Sequence, residues 1–323
     1  MIGYTFKTYI TNGRECYIYG EKQTGPSTET KTDFPFPESL TSLMYLDIWK
    51  YEPLFKRMDK ALLDLYQTRE QRYADEVAAA LDELAPIHFY FELLRLDWRY
   101  HLERSAARGY ADAPDTLLHK QLAHIPSDID TIQKQLQTLC ATVLDMDGAG
   151  SESVQQKLIC FYKTHGDDAL AAFQFRPQPI NYELLDDDTF AEVLCPASIY
   201  DLIDYHLREC LKREVRMRAC KNCGKYFAVT GRSTAEYCNH PFDEKGRTCK
   251  EVAAILKWNK SRSGDDVFKE YRREYKKRFA RIKAGTIDPT WFYQWSAMAR
   301  EKKAECEAGK ISFEEFKDWL RRS

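Results

Sequence analysis

Cys220-Lys221-Asn222-Cys223-Gly224-Lys225-Tyr226-Phe227-Ala228-Val229-Thr230, closed further on by Cys238 and Cys249, is the stretch around which the chain is organised. Its spacing is C-x2-C-x14-C-x10-C. Four thiolates so placed can surround one tetrahedral ion, whereas two alone cannot close a structural site. Cys220, Cys223, Cys238 and Cys249 are therefore the candidate ligands, and zinc is the expected metal. His240 is an alternative ligand for either late cysteine, and a set of reduced core thiols is the reading that needs no metal.

The residues between the ligands point the same way. Gly224 follows the first pair, where a tight knuckle needs an unhindered backbone. Lys225 to Val229 is β-prone, Gly231-Arg232-Ser233 punctuates it, and Tyr237 returns the chain to Cys238, which predicts a hairpin between the ligand pairs. Thr248 and Glu251 form a capping box ahead of Val252, Ile255, Leu256 and Trp258. That puts Cys249 in a first helical turn, where exposed amides favour a thiolate. Knuckle, hairpin and helix together describe a treble-clef-like finger.

The 323 residues suffice for two domains or for one with an appended module. No apolar run reaches membrane-span length, and Met1-Ile2-Gly3-Tyr4-Thr5 lacks the basic start of a signal peptide, so a cytoplasmic location without membrane contact is expected. Cys16, Cys140, Cys160, Cys195, Cys210 and Cys306 are scattered singly, as reduced thiols are. The net charge of -2 conceals a division. From His206 to Ser323 there are 29 Lys and Arg against 17 Asp and Glu, and before it 19 against 33, so the back is about +12 and the front about -14. The back half thus meets a polyanion, or the two parts attract each other.

Taken in order, residues 1–37 read as an N-terminal β-hairpin and linker. Alternation on both sides of Asn12-Gly13 marks the hairpin, and the polar stretch from Gly20 to Pro37 reads as loop. Residues 38–215 read as a mainly helical domain, with Phe91, Leu94, Trp98 and Leu102 on one face of a central helix after Pro86 and a β-leaning stretch at 173–194. Pro196-Ala197-Ser198 starts a helix that buries Ile199, Leu202, Ile203, Tyr205 and Leu207. Residues 216–262 form the four-cysteine finger. Residues 263–323 form a basic helical tail, in which Val267, Phe268, Tyr271, Tyr275, Phe279 and Ile282 make one stripe. The tail repeats itself: Ala284-Gly285-Thr286-Ile287-Asp288 with Phe292 and Trp295 returns as Ala308-Gly309-Lys310-Ile311-Ser312 with Phe316 and Trp319. Each copy is a helix stop followed by a helix start. The fold class expected is mainly α with a small β component: a helical front domain, the zinc finger and the basic tail.

Catalytic patterns are missing. No Gly-rich phosphate loop, H-E-x-x-H or nucleophile elbow occurs, the seven histidines share no ligand spacing, and Asp186-Asp187-Asp188 reads as a solvated turn. Four cysteines fill a zinc ion's coordination sphere and leave no position for water. The chain is therefore expected not to be an enzyme. The back half instead distributes positive charge as phosphate contacts require, with Arg216, Arg218, Lys225, Arg232, Arg247, Lys250, Lys257, Arg272, Arg273, Lys276 and Lys277 as candidate nucleic-acid-binding residues. DNA is favoured over RNA.

Arg218 to Phe227, followed by Tyr237-Cys238 and Thr248-Cys249-Lys250, resembles an uncharacterised bacterial family known as a domain of unknown function with a C-terminal four-cysteine element. That resemblance runs from about Phe173 to the C-terminus. From Arg216 to Lys260 the chain is also similar, more distantly, to CGNR-type zinc fingers, although Lys250-Glu251-Val252 stands where those have Gly-Asn-Arg. Both resemblances imply metal-binding cysteines, and the second implies a regulator of transcription. The alternative function is a protein-interaction or assembly module, with purely structural zinc, a basic tail docked on the acidic front domain, and a protein partner or a second copy as its target.

Overall fold

Asn12 and Gly13 stand at φ 50° and 72°, the two left-handed residues that a type I′ turn demands. They join β1 (Gly3–Thr11) to β2 (Arg14–Lys22) in an antiparallel hairpin running from Gly3 opposite Lys22 to Thr11 opposite Arg14. The computed structural model describes residues 3–22, 29–148, 152–186, 188–243, 246–253, 255 and 266–322. It comprises two units, Met1–Cys238 and Asn239–Ser323. Among the described residues no helix is long and apolar enough to cross a membrane.

In the first unit the hairpin grows into a five-stranded antiparallel sheet of order β3-β2-β1-β5-β4. Thr30–Pro35 adds β3 alongside β2, with Arg14 opposite Pro35. The 20–37 segment thus supplies a strand where a loop was expected. Ile180–Asp186 and Thr189–Leu194 form β4 and β5, and β5 reaches β1 through Thr8 opposite Leu194. Phe173 to Arg176, part of the β-leaning stretch, lies outside any strand. This sheet corrects the fold class: the chain is α+β, not mainly α with a small β component. The helical spacing misleads because helices announce themselves locally, whereas β1 and β5 pair across most of the unit's length and leave no periodic trace of doing so.

Helices cover the sheet. Tyr90–Ala106 buries Tyr90, Phe91, Leu93, Leu94, Leu96, Trp98 and Leu102 at the middle of the unit's core, each such side chain contributing about 1.5–3 kcal/mol. Glu52–Thr68, Gln71–Leu84 and Ile125–Leu139 pack beside it. Ile199–Lys212 begins at a capping box in which the Ser198 hydroxyl accepts from the Asp201 N–H while Asp201 accepts from Ser198. After it, Glu214 turns at φ 48° and leads into the cysteine-bearing segment.

The second unit contains the helices Asp266–Lys283, Pro289–Glu307 and Phe313–Arg322 around Phe292, Trp295, Ala299, Phe316 and Leu320. Both copies of the repeat act as punctuation. Gly285 and Gly309 adopt φ 69° and 72°, and the N–H groups behind them return to the carbonyls of Arg281 and Glu305, each at 2.9 Å. Asp288 then accepts from the Trp291 N–H at 3.0 Å, and Ser312 exchanges bonds with Glu315.

The stripe expected on Asp266–Lys283 is corrected in part. Its fully buried residues are Glu270, Glu274 and Arg278, whereas Phe279 is 41% exposed. A buried charge must be paired, and these are. Arg278 donates to Glu274 at 2.5 Å and to the Leu320 carbonyl at 2.7 Å, with its guanidinium 4.4 Å from the Trp295 ring centroid. Arg273 reaches Glu270 at 2.5 Å from outside.

Candidate metal centre

Met217–Ala219 and Tyr226–Ala228 pair as β6 and β7, with Arg218 opposite Phe227. The hairpin therefore brackets Cys220 and Cys223 instead of lying between the two ligand pairs: Tyr226–Ala228 is β-prone, but its partner precedes the first cysteine. The connection is the knuckle itself. Cys220 N–H donates to the Lys225 carbonyl at 2.9 Å and Gly224 N–H to the Cys220 carbonyl at 2.8 Å. Gly224 turns at φ 75°, a conformation that penalises any side chain.

The hairpin is fastened to its own unit. Met146 N–H donates to the Met217 carbonyl at 3.0 Å, and Tyr226 N–H to the Tyr45 hydroxyl at 2.5 Å. Lys221 N–H donates to the Glu236 carbonyl at 3.0 Å, which carries the chain to Cys238. Around Cys249, the Thr248 hydroxyl accepts from the Glu251 N–H at 3.2 Å and Glu251 accepts from the Thr248 N–H at 2.6 Å. Residues 249–253 are helical. Val252 is buried and Ile255 exposed, while Leu256 and Trp258 lie outside the described residues.

The sulfur atoms of Cys220, Cys223, Cys238 and Cys249 all lie within 4.8 Å of one another. Cys223 Sγ and Cys238 Sγ are 3.6 Å apart. A tetrahedron with metal–sulfur bonds of ~2.3 Å has edges of about 3.8 Å, so the donor set has the dimensions that such an ion needs. Cys220, Cys238 and Cys249 are buried and Cys223 is half-buried. Burial raises the Cys220 thiol, but N–H donors from Cys223, Cys238 and Asn222 outweigh it and bring the group down to about 7. One of those donors, Cys238 N–H, is 3.4 Å from the sulfur. The four cysteines can hold a metal ion. His240 contributes its backbone carbonyl, which accepts from Cys249 N–H at 3.2 Å.

The cationic candidates are spread over several settings. Arg218 is bound on every side: to Asp147 at 2.7 Å and to the carbonyls of Ser233 and Ala235 at 2.8 and 2.7 Å. That pairing holds the Asp147 carboxyl below its usual range. Lys225 lies 5.2 Å from the centroid of the Tyr45 ring. Arg247 pairs with Asp243, Arg273 with Glu270, and Lys277 with Glu274. Arg216, Arg232, Lys250, Arg272 and Lys276 are exposed, and Lys257 lies outside the described residues. Of the aspartate run, Asp186 closes β4 and Asp188 sits in the turn to β5. Asp187 is not among the described residues.

A second titratable cluster escapes any motif search. Glu15 and His206 are both 0% exposed, with Glu15 Oε2 3.7 Å from His206 Nε2. Glu15 Oε1 accepts from the Ser39 N–H at 2.7 Å, while its Oε2 has no hydrogen-bond partner among the described residues. The Tyr17 and Tyr90 hydroxyls reach His206 at 3.2 and 2.9 Å, and both meet Ser39 Oγ at 3.0 Å. His88 bonds the Ser39 carbonyl at 3.0 Å. Burial pushes the Glu15 carboxyl up to about 8, against the pull of the Ser39 hydrogen bonds. It pushes His206 and His88 down to about 4 and raises both tyrosines. Periodicity was the available signal: Glu15 shares its strand face with Tyr17, and His206 stands four residues from Leu202 and Cys210 on an apolar helix face.

The profile of DUF6076, a family of unknown function, matches residues 180–321, a span that includes all four cysteines. No curated protein and no solved structure matches the chain.

Proposed function

We propose that the chain is a zinc-stabilised nucleic-acid-binding protein acting on DNA in preference to RNA, and that it is not an enzyme. Zinc is favoured because four sulfurs at tetrahedral spacing suit a borderline-soft ion and leave no open position for a reacting water. Arg176, Tyr200, Asp128 and Asp204 line a cavity of about 420 Å³ in the first unit. Its acids are already engaged, Asp128 by the Tyr200 hydroxyl at 2.7 Å and Asp204 by Arg208 and the Arg176 N–H, which speaks against acid–base chemistry there.

The observation that carries the nucleic-acid reading lies in the second unit. Arg272, Lys276 and Arg281 are exposed and have no carboxylate within ion-pair distance among the described residues. Exposed rings accompany them: Phe279 (41%) with Lys283 5.8 Å from its centroid, and Tyr293 (64%), both against Phe292. Unpaired cations beside exposed aromatic faces suit a phosphate backbone with bases to stack.

Fluorescence anisotropy with labelled duplex DNA, single-stranded DNA and RNA tests the proposal. Binding should weaken linearly in log–log form as salt rises, and Arg272→Glu with Lys276→Glu should flatten that slope by about 2. Both side chains are exposed and outside the buried ion pairs, so the double variant should fold. No binding at low salt, or binding that ignores the reversal, would defeat the reading.

A further inference from the structure

The two edges of the five-stranded sheet are built differently. β3 ends in Pro35 and carries Lys31 and Asp33, all exposed, the residues with which natural edge strands discourage added pairing. β4, Ile180-Asn181-Tyr182-Glu183-Leu184-Leu185-Asp186, has neither lysine nor proline and, among the described residues, has a strand neighbour, β5, on one side alone. Its alternate residues divide cleanly. Glu183 pairs with Lys7, and Leu185 packs with Tyr9, Ile18 and Val193. On the other face Ile180, Tyr182 and Leu184 are 38%, 64% and 66% exposed. Phe190 of β5 extends that face, 67% exposed and stacked on Tyr182 at 5.9 Å.

We propose that this edge is a homodimer interface, with β4 of one copy pairing antiparallel to β4 of a second about a two-fold axis at Tyr182. The register follows from the side chains. With the axis at Tyr182, the two copies of Tyr182 face each other, Ile180 faces Leu184, and Asn181 faces Glu183. Every exposed apolar residue of the strand then meets another, and each carboxylate meets an amide. An axis at Glu183 would set two like charges opposite each other, which destabilises a ladder. An axis at Asn181 would leave Leu184 without a partner. The irregular step between Leu184 and Asp186 ends the ladder at one side, so Ile180 to Leu184 is its useful length.

The available area is at the small end for a specific interface. An aromatic side chain presents roughly 150–250 Å², so Tyr182 and Phe190 leave about 200–300 Å² uncovered, and Ile180 and Leu184 bring the patch to about 400 Å² per copy. With the strand's own backbone edge, two copies approach the ~1,000 Å² that a specific interface needs. An isologous contact of this kind closes on itself and does not propagate into fibres.

Sedimentation equilibrium of the full chain across the micromolar range, with metal retained, should show a monomer–dimer equilibrium. Tyr182→Lys and Leu184→Lys each place two charges in the interface and should raise the dimer dissociation constant at least about tenfold. Leu170→Lys, at a site 75% exposed elsewhere in the unit, should leave it unchanged. Tyr182→Cys in a Cys160→Ser, Cys195→Ser background should cross-link to itself on oxidation. The inference is overturned by a monomer throughout the range, by a dimer indifferent to both lysine variants, or by a dimer in which Cys at 182 fails to cross-link. Circular dichroism establishes that the lysine variants keep their fold.

Discussion

Replacing Glu15 by Gln isolates the proton buried beneath the sheet. The carboxyl moves from 4.5 when unfolded to about 8 when folded, so between those values the native chain holds a proton that the unfolded chain has lost. Stability then falls as pH rises, by about 1.4 kcal/mol per pH unit and about 5 kcal/mol over the window. His206 acts in the opposite sense. Its imidazole moves from 6.5 to about 4, so its contribution is present above 6.5 and is lost as pH falls toward 4, about 3 kcal/mol in all. His88, pushed down to about 4 by the same burial, adds a second slope of that sign, so in the parent protein both histidines oppose Glu15 below 6.5, and above it Glu15 alone leaves a loss of about 2 kcal/mol between 6.5 and 8. Gln keeps an acceptor for the Ser39 N–H and removes the titration. The variant should gain stability up to 6.5 and then level off. The decisive quantity is the difference in unfolding free energy between the two proteins, measured by urea denaturation across this range, because every other titrating group cancels. That difference should shift by about 5 kcal/mol in favour of the variant from pH 4.5 to pH 8. A difference independent of pH would mean that Glu15 is already ionised in the native state, and the reasoning from its burial would fail.

Three further outcomes are expected. Purified protein should release one equivalent of zinc to a chromogenic chelator after thiol modification, and Cys223→Ser should lower metal affinity by more than the ~10–100-fold typical of losing a supporting hydrogen bond; metal analysis that finds no stoichiometric ion contradicts this. Arg278→Ala should destabilise the second unit by about 3 kcal/mol, since it removes the buried partner of Glu274 and leaves that carboxylate only the exposed Lys277 and Arg273 at 3.7 and 3.9 Å, while a joint Glu274→Gln, Arg278→Met change should be much milder; chemical unfolding of the full chain reads the contrast. Gly285→Ala and Gly309→Ala should each cost about 1–2 kcal/mol, because both positions sit at positive φ, and a thermal scan showing no loss would contradict the caps.

What was legible in the sequence was what neighbouring residues decide among themselves. Asn12-Gly13 prescribes its turn, Ser198 its helix start, and the glycines of the tail repeat their helix stops, because each is settled within a few residues. The gathering of the four sulfurs belongs here too, since cysteine spacing is a local constraint on one small loop system. What stayed hidden was non-local. β3 is polar on its exposed face and acquires strand character from β2, whereas β4 and β5 lie within the β-leaning stretch at 173–194 and only their joining to β1 depends on distant residues, so the extent of the sheet was legible in part. The partner of Tyr226–Ala228 lay before the first cysteine, in an arginine-rich stretch that looked like a phosphate contact, and Arg218 proved to be tied into the hairpin's surroundings. Buried charge was hidden for another reason. Glu15, His206, Glu274 and Arg278 occupy core positions by periodicity, yet their residue types argue for surface, and only their mutual pairing resolves the conflict.

The knuckle of Cys220 and Cys223 hangs from a ribbon already fixed by Met146, Asp147 and Tyr45. An ion arriving there meets a half-finished seat, with two sulfurs held in place before any coordination bond exists. Isolated zinc modules must fold and bind in a single event. Here the entropy of ordering that first pair is absorbed by the scaffold, so stripping the metal should loosen the later cysteines while the seat itself survives.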